Sequence, residues 1–293
     1  MIRPLLLLFL LVFSTALAPP ADAAFRSDRI SVSVRGSGPD VVLIPGLSSS
    51  PEVWEGTVEA IPGYRYHLIQ VAGFAGTPVG ANAEGPVVAP VAEEIARYIT
   101  ESGLKRPALI GHSLGGLWAM MVAARHPETA SRVMVVDMLP YLGALYAPPG
   151  TPPEGVQAIA AQIREGLLKS SDADRKARIE ATIATMVREE GLRARPVAHS
   201  LASDRAVSAQ AMYELIVTDL RPELPAIQGP LTVLWVRAPN SPLTEEQLAG
   251  AYRALYATAP AVTLTRIPDA YHFIMFDQPG IFQREVRAFL KGD

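Results

Sequence analysis

The chain has 293 residues, 49% of them hydrophobic, with no cysteine and a formal net charge of -3 at neutral pH. Without cysteine it has neither a disulfide framework nor thiolate metal ligands, and its mild acidity excludes a basic nucleic-acid footprint. The length suits one large α/β unit with an insertion.

The first residues, Met1-Ile-Arg3-Pro4, precede an apolar run from Leu5 to Ala18 and a small-residue stretch at Ala21-Asp22-Ala23. This order of charge, apolar run and small residues predicts a signal peptide over 1–23, cleaved after Ala23 or Ala24. The run is too short for a stable bilayer span. The mature chain is therefore expected to be periplasmic or secreted, with no membrane span and no lipid-attachment cysteine.

Beyond the leader, Arg29–Arg35 alternates polar and apolar residues, as an antiparallel edge strand does. Asp40–Pro45, Tyr66–Val71 and Pro107–Ile110 read as buried strands, and Val87–Thr100 as a helix with Val91, Ile95 and Ile99 on one face. The segment Leu117–Ala124 is apolar all round, which predicts a buried helix. Arg132–Asp137 is a strand again. From Gly155 to Leu220 only helical periodicity remains, with stripes at Ile159, Ile163 and Leu167, at Ile179, Ile183 and Met186, and at Met212, Leu215 and Ile216. Strand-helix alternation resumes with Leu231–Val236, Glu245–Tyr256, Val262–Ile267 and Ile281–Leu290. Alternation of this kind predicts a mostly parallel, doubly wound sheet covered on both faces. The organisation expected is a core of 24–140 and 226–293 with a helical cap inserted over 141–225. The stripes are read chiefly as packing between cap helices and sheet, with a few residues left to line a substrate pocket.

The chemistry centres on Gly111-His112-Ser113-Leu114-Gly115, between a strand and a helix. This spacing is the nucleophile elbow, whose serine is exposed on a strained turn at the helix N-terminus. Ser113 needs a base and a group that orients the base. Of five histidines, His112 is expected to point away from the nucleophile, His126 to lie on the surface, His67 in a strand and His199 in the helical block. His272, in the loop Asp269-Ala-Tyr-His-Phe273 after the last strand, is the candidate base.

The stretches Leu43-Ile-Pro-Gly46, Gly111–Gly116, and Ile267–Phe273 continuing into Asp277-Gln-Pro279 resemble the α/β-hydrolase superfamily, in its small capped branch of esterases, lipases and carbon–carbon bond hydrolases. The resemblance covers about Ile30 to Leu290. It implies the α/β-hydrolase fold and an oxyanion hole made by the backbone N–H groups of Leu47 and Leu114. The usual acid after the Leu231–Val236 strand is missing, since Val236-Arg-Ala-Pro-Asn240-Ser has no carboxylate. Some relatives carry it at the end of the strand before the cap, which here is Asp137. Asp269, or a dyad helped by Asn240 or water, are the alternatives. The expected activity is hydrolysis of a hydrophobic small-molecule ester through an acyl-enzyme on Ser113, His272 and Asp137, with no cofactor and no metal. Carbon–carbon bond hydrolysis, or a silent hydrolase fold used for binding, are the alternative readings. Oligomeric state is not legible.

Overall fold

The computed structural model describes residues 25–239 and 241–292. The leader expected over 1–23 and the alternative Asn240 lie outside the described residues.

In chain order the elements are β1 (Ile30–Gly36), β2 (Asp40–Ile44), α1 (Glu55–Ala60), β3 (Arg65–Val71), α2 (Val88–Glu101), β4 (Ala108–His112), α3 (Leu114–Arg125) and β5 (Arg132–Val136). Then come α4 (Gly143–Tyr146), α5 (Pro153–Lys169), α6 (Asp172–Met186), α7 (Ala194–Ala202) and α8 (Arg205–Val217) with no strand among them. The alternation returns with β6 (Leu231–Trp235), α9 (Glu245–Leu255), β7 (Val262–Arg266), α10 (Ile274–Asp277) and α11 (Pro279–Lys291).

The strands form one seven-stranded sheet in the order β1-β3-β2-β4-β5-β6-β7. Only β1 runs antiparallel, paired with β3 from Ile30↔Val71 to Gly36↔Arg65. Its outer residues are exposed, which fits the alternating sequence of an edge. The inner strands β2, β4 and β5 are buried nearly throughout, as strands covered on both faces must be. Two apolar layers result. One packs α2, α3 and α9 against the sheet, around Ile95, Trp118 and Val135. The other packs α1 and α11 against the opposite face, around Trp54, Ile110 and Phe282. Trp54 is fully buried and stacks on Phe282 with centroids 6.2 Å apart, an anchor between α1 and α11.

Helix α3 explains the position of the site. Every residue from Leu114 to Ala124 is buried, so it has no polar face to turn outward. It therefore runs through the densest part of the layer, with its N-terminus fixed at the end of β4, in the middle of the sheet. The five helices between β5 and β6 leave the sheet at its carboxyl edge, where ligand crevices form in open α/β sheets.

Candidate active site

Two adjacent strands end in the same kink. Ser113 follows β4 with a φ of 54°, and Asp137 follows β5 with a φ of 53°. Such backbone is costly for residues with a Cβ, by about 1–3 kcal/mol each, and persists only where neighbours enforce it. Here they do. Ser113 N–H donates to the Val136 carbonyl at 2.9 Å, and Asp137 N–H donates to the Leu234 carbonyl at 2.8 Å. The elbow also needs glycine on both sides of the serine. A Cβ on Gly111 would lie 2.0 Å from the Gly115 carbonyl oxygen, and one on Gly115 would lie 2.1 Å from that of Ile44.

His272 comes from the loop after β7 and reaches the same point. Its Nδ1 lies 2.6 Å from Asp137 Oδ2. A carboxylate only accepts, so Nδ1 carries a proton. Asp137 Oδ1 accepts from the Val236 N–H and the Tyr252 hydroxyl, both at 3.2 Å. Burial, with Asp137 beside it, pushes the Tyr252 hydroxyl well above the ordinary tyrosine range, so it remains a neutral donor. Asp137 is thus satisfied on both oxygens. Asp269 sits elsewhere, its side chain 76% exposed and 3.6 Å from Arg188. The two open alternatives among the described residues thus separate by position: Asp137 is on His272, and Asp269 is in solvent.

The expectation for His112 is corrected. Its imidazole does not turn away from the site but lies against it, with ring centroids 4.6 Å from both His272 and Phe273. Nε2 donates to the His272 backbone carbonyl at 3.0 Å, while the buried Nδ1 has no partner among the described residues. Complete burial, then the neighbouring His272, hold this imidazole well below the ordinary histidine range and therefore neutral. The loop after β7 passes over His112, and this brings the two rings together. The other histidines fall away from the centre. His67 bonds Tyr98 and Asp40, His126 bonds Glu93 and His199 bonds Glu52.

Leu47 lies in the loop after β2 and Leu114 is the first residue of α3. Among the described residues neither backbone N–H is taken by a carbonyl or side chain. Ser48, next to Leu47, is a further non-glycine residue at positive φ, 55°. Its hydroxyl reaches the insertion, 2.9 Å from Ser208 Oγ on α8.

Ser113, Asp137, His272 and Leu47 border one cavity of about 560 Å³ between the sheet and the inserted helices. Ile163, Leu167, Ile179, Ile183, Met186, Met212 and Leu215 line this cavity. The stripes also pack: Ile183, with Ile179 and Met186 against it, belongs to one sheet layer and Leu215 to the other, while Ile216 packs on Val156 and Ala160 with Ile163 and Met212 against them. The same faces thus join the insertion to the sheet and bound the space between them. Arg175, Arg178 and Arg205 also border it, and no periodicity in the sequence marked them. Tyr252, Ser208 and these arginines carried no sequence signal, because each matters only through a partner distant in the chain. Among the described residues no group of three or more histidines and carboxylates could hold a metal ion, and no helix is long and apolar enough to cross a membrane.

The family model of the alpha/beta hydrolase fold matches residues 39–279. The chain belongs to this family. It is 33% identical over 213 residues to a pimeloyl-[acyl-carrier protein] methyl ester esterase of Aeromonas hydrophila, covering 71% of this chain and 78% of the relative. A protein of the same description from Vibrio atlanticus is 28% identical over 216 residues, covering 72% and 80%. Among solved structures, an esterase from Exiguobacterium antarcticum superposes with a TM-score of 0.73 at 18% identity, covering 89% of this chain and 95% of that one. The enol-lactonase from Burkholderia xenovorans gives 0.72 at 19% identity, covering 89% and 96%. These structural likenesses establish the shared fold.

Proposed function

We propose that this α/β hydrolase cleaves carboxylic esters with an apolar acyl chain through an acyl-enzyme on Ser113. Its family and its esterase relatives make it an ester-hydrolysing enzyme. The observation that carries the finer reading is the 2.6 Å pair of His272 Nδ1 and Asp137, set in the wall of an apolar cavity that also holds Ser113.

The chemistry follows from the proton positions. His272 Nε2 accepts the Ser113 hydroxyl proton as Oγ attacks the ester carbonyl carbon. The electron pair of the carbonyl moves onto its oxygen, where the N–H groups of Leu47 and Leu114 receive the charge. Asp137 stabilises the imidazolium that forms and holds its tautomer. His272 then gives the proton to the departing alkoxide, and the alcohol leaves. Water enters, loses a proton to His272, attacks the acyl-enzyme and frees the acid, with the proton returning to Ser113. The residues themselves supply nucleophile, base and donors, so no step draws on a cofactor. Among the described residues the hydrogen bonds of His272 run to Asp137 and His112, and the one from Ser113 is expected to tighten as the ester binds.

The relatives' description names a methyl ester, which agrees with a small alcohol leaving group and a longer acyl part. The apolar cavity suits that acyl part. Export is part of the same proposal and rests on residues 1–23 alone; N-terminal sequencing of the protein recovered from outside the cytoplasm should begin at Ala24 or Phe25. The deciding experiment is labelling by a fluorophosphonate. The wild type is expected to be labelled and to turn over p-nitrophenyl butyrate, and both are expected to be lost in Ser113→Ala and His272→Ala. A folded wild type that neither labels nor turns over ester would overturn the reading.

A further inference from the structure

The loop after β2 is held from outside the sheet. Ser48 sits in that loop at a φ of 55°. A residue with a Cβ leaves this region unless its surroundings restrain it. Its Oγ is 2.9 Å from Ser208 Oγ, in the first turn of α8. Both serines face the cavity that holds Ser113. The bond therefore joins the expected oxyanion loop to the inserted helices.

Ser208 is itself firmly placed. The Asp204 carboxylate caps α8 by accepting the Val207 N–H at 2.9 Å. Asp204 N–H donates to the Gly73 carbonyl at 2.8 Å, in the loop after β3. Val207 is buried against that same loop, close enough that a Cβ on Gly73 would come within 3.0 Å of Val207 Cγ2. Ser203 accepts the Ala75 N–H at 2.8 Å, and its hydroxyl lies 3.3 Å from the Ser48 carbonyl oxygen. Farther along α8, Glu214 accepts the N–H groups of Val87 and Val88, each within 3.0 Å, at the start of α2. Helix α8 is thus anchored to the sheet's own loops along its length.

We propose that Ser208 is a positioning residue for the oxyanion hole. Its hydroxyl, delivered by α8, holds Ser48 in the left-handed conformation and so keeps the Leu47 N–H directed at the reacting carbonyl. Ser49 N–H donates to the Gly46 carbonyl at 3.2 Å, and that carbonyl shares one peptide with the Leu47 N–H. If Ser48 relaxed to negative φ, this turn bond would open and the Gly46–Leu47 peptide would be free to carry its donor off target. Helix α8 is then part of the catalytic centre and not only a cover over it. The inference rests on the oxyanion role proposed above for Leu47.

The test uses the full-length enzyme and p-nitrophenyl butyrate, with competent sites counted by stoichiometric fluorophosphonate labelling. Ser208→Ala is expected to lower kcat about tenfold, less than the ~10²–10³ of an oxyanion donor lost outright. KM should stay within about twofold, because the interaction weakened is made in the transition state. Affinity for a trifluoromethyl ketone, which forms a tetrahedral adduct on the serine, should fall by a factor similar to that in kcat. Ser208→Thr keeps the hydroxyl and should keep the activity. The double variant Ser48→Gly with Ser208→Ala should recover most of the loss, since glycine adopts positive φ without a Cβ clash. An unchanged kcat in Ser208→Ala, a loss confined to KM, or a double variant no better than Ser208→Ala would each overturn the proposal. A wild type without turnover would overturn the esterase reading and this inference with it.

Discussion

At the scale of single residues, the proposed mechanism asks two things of Asp137 that depend on its charge. It would fix Nδ1–H of His272, and it would offset the positive charge that His272 acquires as Ser113 attacks. Asp137→Asn keeps the shape but loses the charge and the tautomer control, so kcat should fall by about 10³–10⁴ with little change in fold. Removing a single donor to the other oxygen is milder. Tyr252→Phe takes away one neutral hydrogen bond, on the order of 1 kcal/mol, and should cost a few-fold to about tenfold in kcat. Steady-state kinetics on one ester would measure both, and an Asp137→Asn enzyme at full rate would return the acid's role to another group. His112 adds a prediction about pH. Its folded form resists protonation, whereas in the unfolded chain it titrates near 6.5. Below that pH the unfolded state binds the extra proton, so stability falls as pH drops, by up to ~1.4 kcal/mol per pH unit for this one group. Urea unfolding between pH 6.5 and 5 should show a slope about one proton shallower in His112→Asn; equal slopes would mean His112 is not held neutral.

At the scale of elements, the strands and the elbow helix were legible because their signals are local. The runs in β2, β4 and β5 are apolar without alternation, and α3 is apolar all round, so each could be assigned without knowing its neighbours. The inserted helices were legible as helices but not in their task. Ile183 and Leu215 sit on stripes that look the same whether they face a partner helix or a void. What α8 does depends on polar contacts that periodicity does not register. Glu214 supplies the N-terminal cap that α2 lacks in its own sequence, where Val87 occupies the capping position. Glu214→Ala should therefore destabilise the protein by about 1–2 kcal/mol, the usual cost of a lost cap, readable as a lower urea midpoint. An unchanged midpoint would show α2 to be capped by solvent instead.

At the scale of the whole molecule, the proposed function makes the cavity between sheet and insertion the site of the acyl chain. Its lining is mainly apolar. Each methylene buried there is worth ~0.8 kcal/mol, so kcat/KM should rise about fourfold per added carbon along a p-nitrophenyl ester series until the cavity is filled. A flat profile would mean the acyl chain binds outside it. The sequence by itself determined the parallel sheet, the helical insertion, the strained serine and the loop histidine. All of these rest on residues within a few positions of one another, where sterics and periodicity act directly. Only the tertiary structure decided that Asp137 is the carboxylate on His272, since 135 residues separate them and the contact exists only because the loop after β7 reaches past β6 to the end of β5. It likewise decided that His112 lies against His272, that Tyr252 completes Asp137, and that Ser208 meets Ser48. Pairings of that kind come from the order of strands in the sheet and the return of the inserted helices over its edge, and no local property of the chain specifies either one.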